Sequence, residues 1–580
     1  MVDDTPLPSS SVVESPTGIR ETVVVARDGQ VHKTSAMEDG WQTEAFSESA
    51  NRQLHDLGDL ICSGGDHATA SQILAADFRM GVLLPQGRRQ LFSDRHLEVS
   101  EPADANEFQA ALTEHSLASL LRHLRTDFDG MQELHAKFKL FRVEPQKDGV
   151  ETLQYFQLVG HNATRQREQN ATWRIRWTNE AKPKILEIRA EAWQDVVTSE
   201  LAGKPLFSDQ TQSLLGGDAA YQIALTRGIE YWRQRISNTC SVYNFGYHGI
   251  AVGDVNGDGR EDLYVGETGG LPNHLFIQQP DGRLRDMAAQ AGVAFLDNCR
   301  SALLIDLDND GDQDLVCSLN TGILFLENDG AAKFQLRARI ASIDQGFSLA
   351  AADFDQNGFL DVYLCNYYGA SDASKLPAPV PYFDATNGGR NHLVRNWGNW
   401  QFDDATAEVG LDDDNNRFSF ACAWDDFDLD GDQDLFVVND YGPNQLYRND
   451  QGHFANVAND IGLTDGAFGM SATFGDFDRN GYSDIYVSNM FSAAGNRITF
   501  QPQFKPQLSE NDKGRFQYLA KGNSLFQNTG TGRFQDVSLA SGVTMGRWSW
   551  ASLFVDVNLD GWEDLCVANG FVTGADTDDL

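Results

Sequence analysis

Six times between residues 254 and 564 the chain repeats one nine-residue phrase, Asp-x-Asp/Asn-x-Asp/Asn-Gly-x-x-Asp. Each copy runs straight into a β-prone apolar stretch such as Leu263-Tyr264-Val265. Oxygen side chains stand at positions 1, 3, 5 and 9. Calcium takes six to eight oxygens at about 2.3–2.6 Å, and alternate positions of a tight loop can face one ion together. Glycine at position 6 permits the turn that brings the position 7 carbonyl inward, and Asp at position 9 closes the cage. The predicted ligands are Asp254, Asn256, Asp258 and Asp262; Asp306, Asp308, Asp310 and Asp314; Asp353, Asp355, Asn357 and Asp361; Asp426, Asp428, Asp430 and Asp434; Asp476, Asp478, Asn480 and Asp484; and Asp556, Asn558, Asp560 and Asp564. The sixth-position glycines are Gly259, Gly311, Gly358, Gly431, Gly481 and Gly561.

An EF-hand would need Glu at position 12 and flanking helices. Val265 and Cys317 stand there in the first two copies, between strand-like flanks. Metal-free acidic turns would compete as a reading of one copy, but not of six in one register. Magnesium is disfavoured because it keeps its waters and needs a tighter octahedron. About six calcium ions are expected, and six divalent ions would bring the formal charge of −39 to −27.

Between the loops lies a second recurring phrase, Asn-x-Leu-aromatic, a Gly turn, Phe, and an apolar stretch closing at Gly-Val or Gly-Leu. Residues 444–463 and 523–543 are examples. Several short strands per repeat of about 40–50 residues is the pattern of propeller blades.

These phrases, among them Ala251-Val-Gly-Asp-Val-Asn-Gly-Asp-Gly259 and Asp310-Gly-Asp-Gln-Asp-Leu-Val316, resemble FG-GAP/VCBS repeats, as in integrin α-chain propellers and cartilage acidic protein-like proteins. The resemblance covers 246–580. It implies a calcium-loop β-propeller of six or seven blades with calcium between the first two strands of each blade. It also implies export from the cytoplasm and a role in adhesion or matrix contact. No EGF-like or ASPIC/UnbV tail follows the repeats. The sixth copy stops at Asn569, so its outer strands are expected from elsewhere or the chain is a fragment.

Ahead of the repeats, residues 1–45 read as linker with one strand over 22–26, and 46–245 as a smaller α+β domain. Helical spacing is predicted over 45–62, 68–78, 105–125 and 219–236, and strands over 135–143, 151–159, 172–177 and 184–193. Helices followed by a meander suggest helices on one face of an antiparallel sheet. The order weakly resembles a ketosteroid-isomerase-like cone, Ile73-Leu-Ala-Ala-Asp-Phe78 being the most similar phrase. Asp77, Asp127 and Asp129 are candidate acids there, with solvated turn carboxylates as the simpler reading. His135 and His161 show no partner in sequence. No nucleophile elbow, P-loop or Rossmann fingerprint occurs. Asn162 and Asn170 head glycosylation sequons.

The 84 acidic residues against 45 basic ones repel phosphate backbones, which argues against nucleic acid. No apolar run reaches a membrane span, and the N-terminus lacks the basic-then-apolar order of a signal peptide. Seven cysteines form no disulfide framework, and Cys317, Cys365, Cys422 and Cys566 lie in apolar runs as buried thiols.

The link from the second strand of a repeat to its Asn-x-Leu phrase is four residues between Asn439 and Asn444, but 24 after Asn366 and 33 after Asn489. Insertions at one point of a repeat emerge on one face, often the binding face. They carry Tyr367, Tyr368, Tyr382 and Phe383 in 367–390, and Phe500, Phe504, Phe516 and Tyr518 in 490–522. These aromatics suit protein or glycan contact, or packing down onto the propeller. The reading is an exported, non-enzymatic calcium-binding propeller that binds protein or carbohydrate, calcium being mainly structural. The alternative is an enzyme using the N-terminal pocket or the propeller channel.

Overall fold

The computed structural model describes residues 11–14, 20–23, 41–64, 70–199, 207–237, 249–343, 346–367 and 378–570. The two described pieces of the expected linker are the paired strands Ser11–Glu14 and Arg20–Val23. The rest of that linker before Trp41, Tyr368 and the acidic tail after Gly570 lie outside the described residues. Two compact units result. One takes in residues up to 208 together with 493–508, the other 209–492 and 509 onward.

In the first unit, helix Gln42–Ser63 places Ala50, Leu54, Leu57 and Ile61 at helical spacing, all buried. It ends where Gly64 turns left-handed (φ 84°) and donates its N–H to the Leu60 carbonyl. The helix packs against strand Gln132–Gln146 of a sheet ordered Arg88–Ser93, Leu97–Pro102, Ile185–Ser199, Arg165–Trp177, Gly149–His161, Gln132–Gln146. Alternation buries Thr152, Gln154, Phe156 and Leu158 along one strand, and Gln169, Ala171, Trp173, Ile175 and Trp177 along the next.

Several local expectations are corrected. Among the described residues of 68–78, Ala70–Ile73 is helical and the rest belongs to a strand, Leu74–Met80. The run is rich in helix formers, but it pairs in parallel with Ile185–Ser199 and buries Leu74, Phe78 and Met80. Over 105–125 the chain forms a 3-10 turn at Ala105–Gln109, a short strand at Thr113–Glu114, and a helix at Leu117–Leu124 capped by the Ser116 hydroxyl. Over 219–236 the helix is interrupted at Gly228, leaving a π-turn at Tyr221–Leu225 and a helix at Ile229–Arg233. That segment groups with the second unit, where the Asp218 carboxylate accepts the Asp286 N–H at 3.0 Å. Strands Arg88–Ser93 and Leu97–Pro102 were not foreseen.

The second unit is mainly β and, among the described residues, holds five four-stranded antiparallel sheets and one two-stranded sheet, each a meander. First strands are Ile250–Gly253, Cys299–Ile305, Gly346–Ala352, Ser419–Asp425, Gly469–Gly475 and Ser549–Val555. Second strands are Asp262–Val265, Asp314–Leu319, Asp361–Asn366, Asp434–Asn439, Asp484–Asn489 and Asp564–Asn569. Third strands are His274–Gln278, Gly322–Asn328, His392–Asn396, Gln445–Asp450 and Ser524–Asn528. Every pair of consecutive sheets shares an apolar layer. Tyr264 with Leu315 lies between the first two, Phe325 with Leu364 between the next, and Phe436 with Ile485 between the fourth and fifth. The six acidic loops join first to second strands.

Candidate metal centre

Each loop is built by its own carboxylates. The position 1 Asp accepts the N–H of the position 6 glycine in all six copies, at 2.7–3.1 Å, from Gly259, Gly311, Gly358, Gly431, Gly481 and Gly561. Those glycines have φ between 79° and 96°. A Cβ on any of them would meet nothing within 4 Å, so conformation rather than space calls for glycine. Position 4 is also left-handed in every copy: Gly257, Asn309, Gln356, Leu429, Arg479 and Leu559, with φ from 56° to 67°. The sequence reading did not anticipate this second turn.

Position 9 anchors the loop. Asp262, Asp314, Asp361, Asp434 and Asp484 are 0% exposed. One oxygen of each accepts the position 2 N–H, from Val255, Leu307, Phe354, Phe427 and Phe477. The other accepts the N–H of Gln278, Asn328, Asn396, Asn449 or Asn528 on the third strand, at 2.7–2.9 Å.

Positions 1, 3 and 9 converge in the second to fifth loops. Asp306, Asp308 and Asp314 each offer a carboxylate oxygen within 4.8 Å of the others, as do Asp353, Asp355 and Asp361; Asp426, Asp428 and Asp434; and Asp476, Asp478 and Asp484. In the first and sixth loops Asn256 and Asn558 replace the position 3 acid, and no such carboxylate triad forms among the described residues. Position 5 lies outside these triads. Asp258, Asp310, Asn357, Asp430, Asn480 and Asp560 accept instead the N–H two residues on, at 2.8–3.1 Å.

Burial, and after it the neighbouring acids set against backbone N–H donors, pushes the carboxyls of Asp314, Asp361 and Asp484 up to about 7 and that of Asp434 up to about 8. Burial followed by adjacent aspartates also raises Asp308 and Asp428. Asp428 Oδ1 is buried with no hydrogen-bond partner. Three converging carboxylates, the innermost pushed up toward neutrality and one in the fourth loop with an orphaned oxygen, fit a hard divalent cation, which would neutralise their repulsion and fill that valence.

A further set of residues was missed in the sequence. Asn328, Asn396, Asn449 and Asn528 end the third strands, and their side-chain amides reach back to the preceding loop. They donate to the position 2 carbonyls of Val255, Leu307, Phe354 and Phe427 at 2.8–2.9 Å. The signal was the second Asn of Asn-x-Leu-aromatic-x-Asn at 444–449 and 523–528; Val replaces the aromatic at 391–396, and Ile323 the first Asn ahead of Asn328. The first Asn closes the link between second and third strands: Asn273, Asn391, Asn444 and Asn523 accept the N–H of Glu267, Asn366, Asn439 and Asn489 at 2.7–2.8 Å. The same bond thus closes the four-residue link and both insertions.

Within the insertions, Tyr382 stacks on Phe516 (6.1 Å, 12°), and Phe383 meets Phe516 edge-on at 5.2 Å. Tyr367 is buried, and its hydroxyl bonds the buried Asp440. Tyr518 donates to the Thr464 carbonyl. Residues 493–508 pack in the first unit, where Arg497 pairs with Glu44 at 2.7 Å and the Arg142 guanidinium lies 3.6 Å over Phe500. Phe504 is buried.

The candidate acids of the first unit do not converge. Asp77 and Asp129 are exposed. Asp127 is paired with Arg88 and accepts from Gln169 at 2.7 Å. The neighbouring Asp195, unmarked in the sequence, is buried and held by both arms of Arg167 at 2.7–2.8 Å. Arg88 and Arg167 thus compensate the charge of both carboxylates. His161 sits 3.7 Å from Glu133 on the surface.

Comparison with known proteins agrees with this geometry. The chain carries FG-GAP-like repeats at residues 254–317, 306–364 and 426–487, which span the first five loops. It is similar to cartilage acidic protein 1. The match is 30% identical over 161 residues in Mus musculus (26% of this chain, 25% of that protein), 34% over 138 in Xenopus tropicalis (22% and 21%), and 25% over 230 in Homo sapiens (33% and 35%). The matches span between a fifth and about a third of those relatives' length. Among solved structures, an Agrocybe aegerita lectin recognising non-reducing terminal N-acetylglucosamine aligns at 16% identity and a TM-score of 0.34, over 57% of this chain and 76% of that one.

Proposed function

We propose that the six sheets are blades of a calcium-loop β-propeller of six or seven blades, acting as an exported protein- or carbohydrate-binding adhesion module. A smaller α+β domain, cone-like in the ketosteroid-isomerase manner, precedes it. The carrying observation is the convergence of three aspartates in four successive loops. Each loop joins two strands that a metal would hold at a fixed separation, so the ion acts chiefly as a staple. The position 5 residues complete the ligand set when the ion is bound. Dedicated extracellular calcium modules bind at about 10⁻⁴–10⁻³ M, above what resting cytosol supplies, which supports an extracytoplasmic location. Among the described residues no helix is long and apolar enough to cross a membrane. The binding face is that of the 367–390 and 490–522 insertions, whose aromatics Tyr382, Phe383 and Phe516 form one cluster.

The test is thermal unfolding of the full chain in millimolar calcium and in chelator, with metal counting by native mass spectrometry. A calcium-dependent rise in melting temperature with about six bound ions supports the reading. An unchanged transition with no bound ion would reduce the loops to acidic turns.

A further inference from the structure

Position 4 of a loop does more than turn the chain. In the second loop the Asn309 side chain donates to the carbonyl of Gly358 in the third, at 2.7 Å. In the third loop the Gln356 side chain donates to the carbonyl of Gly431 in the fourth at 3.1 Å, and to the Asp432 carboxylate at 2.6 Å. Both acceptor carbonyls belong to sixth-position glycines. The N–H of each of those glycines is taken by the first aspartate of its own loop, Asp353 or Asp426, at 2.9–3.0 Å. Each glycine is thus gripped by its own loop on one side and by the preceding loop on the other.

The other junctions are built differently. The first loop has Gly257 at position 4, which carries no side chain, and the fourth has Leu429, which carries no donor. In the fifth, Arg479 lies 4.6 Å over the ring of Trp562 in the sixth, a contact with a side chain rather than with the glycine peptide. The asparagine clamps, by contrast, join every pair of neighbours from the first loop to the fifth. A difference in behaviour between junctions therefore isolates the position 4 bridge.

Asn309 stands between the predicted ligands Asp308 and Asp310, and Gln356 between Asp355 and Asn357. Their left-handed backbones (φ 64° and 56°) set how those ligand side chains stand to one another. An ion that orders the third loop fixes the Gly358 carbonyl, and with it the turn that carries Asp308 and Asp310. The second loop then meets its ion with less ordering left to do. Rigidity supplied by one bound ion and used by the next is positive coupling, and it acts in both directions.

We propose that the second, third and fourth loops fill with calcium as one coupled set, with Asn309 and Gln356 as the couplers, and that the set ends at Leu429. The inference rests on the reading of the loops as calcium sites.

The test follows hydrogen exchange of the full chain across a calcium titration, read separately in each loop, with native mass spectrometry counting ions at saturation. Asp428→Ala disables the fourth loop. It should raise the calcium midpoint of the third loop by about fivefold or more, the lower end of ordinary coupling between sites, and leave that of the fifth loop unchanged. Gln356→Leu gives the third loop the residue that the fourth already holds at position 4. It should keep the full ion count, raise the midpoints of the third and fourth loops, and abolish the response of the third loop to Asp428→Ala. A shift in the fifth loop as large as in the third, a shift in neither, or an unaltered response in the Gln356→Leu background would each overturn the coupling and leave the calcium sites standing. Absence of calcium-dependent protection in every loop would remove the sites themselves, and the coupling with them.

Discussion

The side-chain amide of Asn449 donates to the main-chain carbonyl of Phe354, 95 residues earlier, at 2.8 Å. The bond leaves the third strand of the fourth sheet and ends on the acidic loop of the third. Neighbouring sheets are thus tied through the same loop that gathers the aspartates.

Asn449→Ala should therefore act on two sheets. It removes donors to the buried Phe354 carbonyl and the half-buried Gln433 carbonyl and leaves both without that partner, at about 1–3 kcal/mol at most for the buried one. Calorimetry should show a lower melting temperature in calcium and in chelator alike. An unchanged transition would mean that the clamp contributes nothing.

Asp428→Ala and Asp430→Ala should each lower the bound calcium count by one in native mass spectrometry, and Asp310→Ala likewise. Asp428 belongs to the converging triad, whereas Asp430 must exchange its bond to the Asp432 N–H for the ion. A full complement in the Asp428 variant would exclude the triad as the site.

The carboxyls of Asp314, Asp361, Asp434 and Asp484 rise on folding, chiefly through burial, to about 7 or 8 from about 3.9 in an unfolded chain. A carboxyl shifted upward gives stability that is complete below its unfolded pKa and is lost as pH climbs through its folded one. In chelator, then, the chain should melt higher at pH 6 than at pH 8. Calcium should reverse that order, since protons compete with the ion. Equal melting temperatures at the two pH values in chelator would refute the shifts.

Leu429 holds a left-handed backbone (φ 61°) with its side chain 56% exposed, a conformation that costs an L-residue about 1 kcal/mol or more and suits Asn better. Leu429→Asn should raise stability by about that amount, read as an upward shift in melting temperature. A fall would show that Leu429 makes a contact outweighing the strain.

How much of this was readable in the sequence follows from the range of each interaction. The loops were legible because their chemistry is local: position 1 bonds the glycine five residues on in all six copies. Position 4 was not, since Gly257, Gln356, Leu429 and Arg479 share a backbone shape and no residue type. Nor were the asparagine clamps, whose partners lie 73 to 101 residues away. In the first unit, the strands read at 151–159 and 172–177 lie within Gly149–His161 and Arg165–Trp177, the first half of the latter having gone unread. Leu74–Met80 was not read as a strand, because a helix-prone composition is overruled there by pairing with a strand more than a hundred residues later.

The asparagine bond at the neck of the insertions makes that junction a port of entry for new sequence. Asn366 and Asn391 are held like Asn439 and Asn444, so the sheet does not register what lies between. Once such a neck is closed, lengthening the excursion from 24 to 33 residues adds only about 0.3 kcal/mol of chain entropy. Foreign segments grafted between Asn439 and Asn444 should be carried on the same terms, the scaffold beneath staying constant.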